Sequence, residues 1–566
     1  MNTLNLATKM HKKLKNCKEK TQLTFCVSCL PRVALNRFWS VAKWGAFSWL
    51  FFLTANSAFA YSGGNGEPNT PYQIADVNNL LELRADVNNY DKFFVLTADI
   101  NLAGYDFNTA VIAPYDYNSY IGELKGTPFT GVFDGACHKI SNLRINGGDY
   151  TGYLGLFSYV EDGAIINLGL EDVNIMAGRY SCTIGGLVGF LWSTGAGNGG
   201  KCSNCYSKGV VSVGVNPGGI GGLVGSNWGD INNCYSKGAV FAAGGDNSHI
   251  PCYGFGGLVG ANGGIDLVSI ESGYISNSWS SCDVNCGVML GGIGGLAGMA
   301  NGNVSNCYAT GTVSGGTYSW DLGGLVGVNG GGNINTSFST GPVIGQGNSL
   351  NYLGGLVGLC EGNISNCYSS GDVNGGTGSS YVGGLLGLVD SYSIVSNCYS
   401  VGDVNGGGDV GGLIGAFYGG VINSCYFLEG SGPGNGYGTP LADSQMKQQA
   451  SFVGWDFVGE TINGTEDIWW ILENITYPKL NWQRIIPPNP CGLGGPGGHG
   501  GPDDGGIYFP DYNFDNFVNF LDFAIFANAW LTENPFISLD DDSDVDINDL
   551  KIFCDYWLTY TNNIDY

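Results

Sequence analysis

Histidine is scarce in this sequence, with four residues, of which only His138, His249 and His499 lie beyond position 60. Imidazoles so few and so far apart offer no constellation for a histidine-dependent nucleophile or a histidine-ligated metal. Charge is also sparse, at 12% of residues, and it is lopsided. Residues 1–60 hold nine of the 22 lysines and arginines but one of the 48 acids, Glu19, which leaves 13 bases against 47 acids beyond them, a net charge near −34. A surface that acidic repels phosphate backbones and anionic lipid and favours divalent cations, which argues against a nucleic-acid partner. Glycine, by contrast, numbers 97 and with 18 prolines makes up about a fifth of the chain, short of the ~25–30% typical of low-complexity disorder. Hydrophobic residues at 43% and aromatics at 13% are enough for a core. The numbers therefore fit many short turns between short apolar segments.

The basic leader ends in the apolar stretch Trp44–Leu53, followed by Ala58-Phe59-Ala60. This small-x-small pattern predicts export with cleavage after Ala60, and the long basic region before it fits a start downstream of Met1. The apolar run is shorter than the ~20 residues a membrane span needs, which disfavours an N-terminal anchor. Fifteen of the 18 cysteines lie beyond the leader, an odd number for an exported protein, so at least one is expected to be free or paired between chains.

Self-similarity sets the architecture. Gly-Gly-Leu-Val-Gly or a close variant begins at Gly185, Gly221, Gly256, Gly294, Gly323, Gly354, Gly383 and Gly411, eight copies spaced 28 to 38 residues apart. A second element follows each, as at Asn204-Cys-Tyr-Ser, Asn233-Cys-Tyr-Ser, Asn277-Ser-Trp-Ser, Asn306-Cys-Tyr-Ala, Asn366-Cys-Tyr-Ser and Asn397-Cys-Tyr-Ser, and then a short third element such as Gly371-Asp-Val. Glycine and asparagine reach positive φ cheaply and turn the chain within two or three positions, whereas glycine in every segment defeats a helix. Strand-sized pieces joined in this way stack as coils ~4.8 Å apart, so the expected fold is all-β: a right-handed parallel β-solenoid. One coil per repeat, with a degenerate coil around Gly155-Leu-Phe and Asn167-Leu-Gly-Leu, gives ~40 Å, and two coils per repeat would double it.

Cys205, Cys234, Cys307, Cys367, Cys398 and Cys425 recur at one place in the repeat, where Leu168, Ser278 and Ser337 also occur. A position that takes Leu, Ser and Cys wants a small buried side chain, so reduced core thiols are expected rather than a metal or redox column. Disulfide candidates are Cys202 with Cys182 or Cys205, and Cys282 with Cys286. The neighbouring aromatics Tyr206, Tyr235, Trp279, Tyr308, Phe338, Tyr368, Tyr399 and Tyr426 form a second column. Facing outward it would be a platform for sugars; stacked on itself it would only stabilise the coils.

The Gly-Gly-Leu-Val-Gly copies resemble the GLUG repeats of bacterial exported adhesin-like proteins over residues 61–485, and Gly131–Leu143 resembles the lead-in coil before such repeats. The resemblance implies a solenoid at 151–436 after an N-terminal cap and lead-in coil at 61–150, and a surface or secreted location. Residues 72–102, with a helical Ala75–Asp86 and an apolar strand at Phe93-Phe-Val-Leu96, suit the N-terminal cap; residues 437–485, rich in tryptophan, suit a C-terminal cap.

Residues 486–509 are a Pro/Gly tether. Beyond them, at 510–566, Asp511, Asn513, Asp515, Phe517, Asn519 and Asp522 fall at positions 1, 3, 5, 7, 9 and 12 of an EF-hand-type loop, with Phe517 contributing its carbonyl. Twenty-seven residues later Asp540, Asp542, Asp546 and Asp549 repeat positions 3, 5, 9 and 12, and each loop precedes an apolar helical run, Phe523–Leu531 or Leu550–Leu558, with Trp530 and Trp557 at equivalent places. The duplication resembles a type I dockerin, a small α-helical calcium module. Ser538 stands at the second loop's position 1, while Asp541 and Asp544 add carboxylates there. Clustered carboxylates repel without Ca2+, so folding of so small a core should be metal-coupled. The resemblance implies cohesin binding through helix-start positions, here Phe520, Leu521, Ile547 and Asn548, which differ from the small hydroxyl residues of cellulosomal members.

Two functions follow as expectations. One is an exported non-enzymatic adhesin or scaffold whose loops, such as 190–203 and 262–276, meet glycans or surface proteins while the calcium module docks to a cohesin-like partner. The other is a polysaccharide-degrading β-helix enzyme carried by that module. Asp372 and Asp403, at equivalent third-element positions, could pair across coils, but Thr312 and Ala239 at related places read as surface variation. No catalytic residue is assigned.

Overall fold

The computed structural model describes residues 61–118, 123–195, 199–246, 253–264, 273–347, 349–390 and 392–484. The leader, the tether and the candidate calcium module lie outside these. The described chain is the expected parallel β-solenoid. In one turn, Trp320–Gly323, Val326–Asn329, Asn333–Asn335, Phe338–Ser339 and Val343–Gly345 are strands. Each pairs in parallel with its equivalent one repeat later: Leu322 with Leu353, Val326 with Val357, Ile334 with Ile364, Phe338 with Tyr368, Val343 with Val373. The first two strands of each turn build nine-stranded sheets, and the third builds a twelve-stranded one. Nine matches the eight glycine copies plus the degenerate coil, so each repeat makes one coil.

Backbone proximity explains the glycines at the first corner. A Cβ on Gly323 would lie 1.9 Å from the Val326 carbonyl oxygen, and one on Gly324 would lie 2.0 Å from that of Gly355 in the next coil. No side chain fits between backbones that close, so the corner is written Gly-Gly. The leucine after it turns inward: Leu325, Leu356 and Leu385 are fully buried, each gaining roughly 2–3 kcal/mol of transfer free energy.

The second corner is the asparagine before each cysteine. Asn204, Asn233, Asn306, Asn366 and Asn397 have φ between 51° and 54°, a left-handed conformation that asparagine tolerates better than most residues. Their amides also bond from coil to coil: Asn204 Nδ2 donates to Asn167 Oδ1 at 2.9 Å, and Asn233 Nδ2 donates to Asn204 Oδ1 at 2.8 Å. The serine after each aromatic spans the interior. The hydroxyls of Ser236, Ser369 and Ser400 donate to the carbonyls of Gly257, Gly384 and Gly412 at 2.6–2.8 Å. The two sequence elements are thus joined by a buried hydrogen bond that supplies a donor to the corner carbonyl.

At the N-terminal end a helix spans Val77–Ala85, with Asp76 capping it by accepting from the Asn79 backbone. The outer edge of strand Tyr72–Ile74 is covered by residues 61–66, where Ser62 N donates to Gln73 O and Gln73 N to Gly63 O. That pairing removes an open edge. Past the last coil, Gly412 N bonds Pro433 O and the Asn435 amide donates to Ile414 O, closing part of the far end. The chain then pairs Thr439–Leu441 with Tyr426–Leu428 and runs along the flank to residue 484. Among the described residues no helix is long and apolar enough to cross a membrane.

Candidate functional site

The expected calcium ligands, Asp511 through Asp549, and the partner-binding positions Phe520, Leu521, Ile547 and Asn548 fall outside the described residues, as do parts of loops 190–203 and 262–276. Among the described residues no group of three or more His, Cys, Asp or Glu is arranged to hold a metal ion.

The cysteine column is buried, and its members are free thiols. Cys307 Sγ lies 3.1 Å from the Ser305 carbonyl and Cys367 Sγ 3.1 Å from that of Ser365, the same contact repeated along the column. Burial pushes the Cys307 thiol up to about 12, so it stays protonated. The disulfides expected for Cys202 with Cys182 or Cys205, and for Cys282 with Cys286, do not form: all five are free. The reason for Cys202 is register, since it pairs between Ile165 and Ile231 and faces the core as they do. Its sulfur meets that of Cys234 instead, at 3.8 Å.

The aromatic column stacks on itself. From Tyr206 to Tyr399 successive rings lie 4.5–5.5 Å apart and within 9° of parallel. Lys208 sits over Tyr206 and Lys237 over Trp279, at 5.0 and 5.2 Å. The rings of Phe338, Tyr368, Tyr399 and Tyr426 are covered by the flank segment through Phe452, Trp455, Trp469 and Trp482. Trp482 donates to Thr336 O at 2.9 Å, and the Tyr399 hydroxyl donates to Pro478 O at 2.6 Å. Rings used in this way present no platform. Asp372 and Asp403 are joined structurally: Asp372 Oδ1 accepts the Asp403 amide at 2.9 Å, as Asp283 accepts that of Thr312. His138 pairs with Asp99 at 3.1 Å.

A different band faces outward beside the glycine corner. The residue two places before the corner glycine is left-handed in coil after coil; Asp321, Tyr352 and Tyr381 have φ of 58°, 62° and 60°. Tyr352 stacks on Tyr381 at 5.2 Å and 11°. Tyr418 meets Tyr381 edge-on at 6.4 Å and 78°, with its hydroxyl donating to the Tyr381 hydroxyl at 3.3 Å. That bond pushes the Tyr418 phenol up to about 12. Tyr381, Asp409, Phe417, Tyr418, Asn435 and Tyr437 line a groove of about 480 Å³. Farther along the band, Phe190, Trp192 and Trp228 form a second half-exposed cluster with Tyr153 and Tyr159. Between the clusters the column shrinks to Gly219, Gly254 and Gly292.

Asp321 is buried within this band: it is 3% exposed, and its Oδ1 has no hydrogen-bond partner among the described residues. Burial, and secondarily the charge of Glu361, raises its carboxyl from 3.8 to about 8. Glu361 is raised as well, by burial and by Asp390. In sequence the column is marked only by its place, since Asp321-Leu, Tyr352-Leu, Tyr381-Val and Asp409-Val all directly precede Gly-Gly.

The chain is thus a glycine-cornered parallel β-solenoid with a lateral aromatic and acidic band. The family model described as the GLUG motif matches residues 216–240, 289–314, 349–374 and 378–405, so the chain carries GLUG repeats in four places, each match covering about one coil. A crystal structure of a candidate immunoglobulin A1 protease from Bacteroides ovatus is similar at 20% identity over 74% of this chain and 94% of its own, with a TM-score of 0.37. No curated protein matches the chain.

Proposed function

We propose that this chain is an exported, non-enzymatic binding scaffold: the solenoid presents its lateral band to a surface ligand, and the C-terminal module at 510–566 takes up Ca2+ and docks to a cohesin-like protein. The observation that supports the reading is the band itself, where strand register holds Tyr352, Tyr381 and their neighbours at one-coil intervals on an outward face. A rigid, repetitive face suits recognition, and the sequence-level case for calcium rests on the twice-repeated oxygen spacing.

The docking half is tested with the full chain immobilised in calcium and exposed to the exported proteins of its own source. A partner should be retained in calcium, released by chelator, and lost when Asp511 and Asp522 are changed to Asn. Retention indifferent to chelator and to both substitutions would remove the calcium module from the function.

One feature favours the enzymatic reading, that a polysaccharide is cleaved on the solenoid: burial, and secondarily the charge of Glu361, pushes the Asp321 carboxyl up to about 8 and so favours its protonated form at neutral pH. At 3% exposure, however, its carboxyl does not reach a bound chain without movement. New reducing ends from a polysaccharide panel, abolished in Asp321→Asn, would establish that reading against ours.

A further inference from the structure

We propose that the groove between Tyr381 and Tyr418 is a saccharide site for a neutral glycan. The proposal rests on the binding reading above and gives its ligand a chemical class and a place. At about 480 Å³ the groove is within the ~300–1,000 Å³ usual for small-ligand sites. Tyr381 and Tyr418 meet edge to face, so one ring makes a floor and the other a wall. Tyr418 is 59% exposed, which leaves most of its ring free to be covered. Tyr352, stacked on Tyr381, extends the floor one coil further.

Sugar rings present an apolar C–H face beside a rim of hydroxyls, and both halves find a match here. The phenol faces take the C–H side. The paired Tyr381 and Tyr418 hydroxyls and the Asp409 carboxylate offer a donor and strong acceptors at the rim. The Asn435 amide nitrogen is committed elsewhere, to the carbonyls of Ile414 and Gly415, so it fixes the wall and is not free to bind.

Charge selects within the class. No lysine, arginine or histidine lines the groove, Asp409 does, and beyond the leader the chain carries 47 acids against 13 bases. Uronate or sulfated chains meet a repulsive field there. An apolar peptide would leave the Asp409 carboxylate and the phenol hydroxyls unmatched. The occupant is therefore a neutral pyranose chain.

The test uses the full chain in titration calorimetry against cello-, xylo- and manno-oligosaccharides, with polygalacturonate as the anionic probe and a mixed tryptic digest as the peptide probe. Runs are made in calcium and in chelator. At least one neutral probe should bind in both conditions, with affinity lowered tenfold or more by Tyr418→Ala, two- to fivefold by Asp409→Asn, and less by Tyr418→Phe than by Tyr418→Ala, since Phe keeps the stacking surface. Near-UV circular dichroism matching the parent shows that the variants are folded. Binding of no neutral probe, equal affinity in Tyr418→Ala, or preference for polygalacturonate or peptide would overturn the proposal. Binding that disappears in chelator would also overturn it, by moving the site to the C-terminal module while leaving calcium-dependent docking intact.

Discussion

Replacing Asp321 with asparagine should make the solenoid more stable at neutral pH and remove part of its pH dependence. In the folded chain the carboxyl is buried, one of its oxygens has no partner among the described residues, and burial with the charge of Glu361 pushes it up to about 8; in the unfolded chain it reverts to 3.8. Between those values the folded state holds a proton that the unfolded state has lost, so the stability of the fold decreases as pH rises, by ~1.4 kcal/mol per pH unit. The contribution is fully present below about pH 4 and is lost as pH climbs through about 8. From pH 4 to pH 7 this amounts to at most ~4 kcal/mol, and relaxation or water entry would lower it. Asparagine keeps the shape, accepts the φ of 58° and has no proton to lose.

Denaturant midpoints of parent and Asp321→Asn, taken at each pH from 4 to 8, measure the difference directly. Because repeat arrays can unfold in stages, hydrogen exchange of the Leu322 and Leu353 amides in the same coils should accompany them. All other carboxylates titrate in both proteins, so subtracting the curves isolates Asp321. The variant should match the parent near pH 4 and exceed it progressively toward pH 8. Parallel curves would refute the buried-acid argument.

The corner makes a sharper steric prediction. Gly355→Ala puts a Cβ 2.1 Å from the Gly384 oxygen and should cost about 3 kcal/mol or more, whereas Gly434→Ala, with its nearest neighbour at 3.9 Å, should stay within about 0.5 kcal/mol on thermal unfolding. Ser369→Ala withdraws the donor to Gly384 O and should cost roughly 1–2 kcal/mol, read as faster amide exchange in the two coils it joins. Trp482→Ala removes a ring packed on Phe338 and a bond to Thr336; it should cost about 2–4 kcal/mol and expose residues 437–484 to limited proteolysis before the coils are cut.

The solenoid could be read from the sequence because its cause is local and repeated. A glycine pair that no Cβ can join, at Gly323 and Gly324, and an asparagine that turns left-handed, at Asn306 or Asn366, act alike in every coil, so their spacing gives the coil count. What could not be read depends on which coil lies beside which side chain. Cys202 looks like a partner for Cys205 along the chain, yet the strand register turns it into a core position next to Cys234. The aromatic column is recognisable as a column, but whether it faces water depends on a segment about 25 to 150 residues away that folds back over half of it, as Phe452 does over Tyr426 and Trp482 over Thr336. The lateral band is hidden for another reason. Tyr352, Tyr381 and Asp321 occupy a position that glycine holds in the middle coils, so no residue type recurs there often enough to stand out. In a repeat protein, residues common to every coil explain the stack, and those that break the pattern at an exposed column are where one coil can differ from the next. Tyr381, Asp409 and Tyr418 are such departures, and they lie together around one groove.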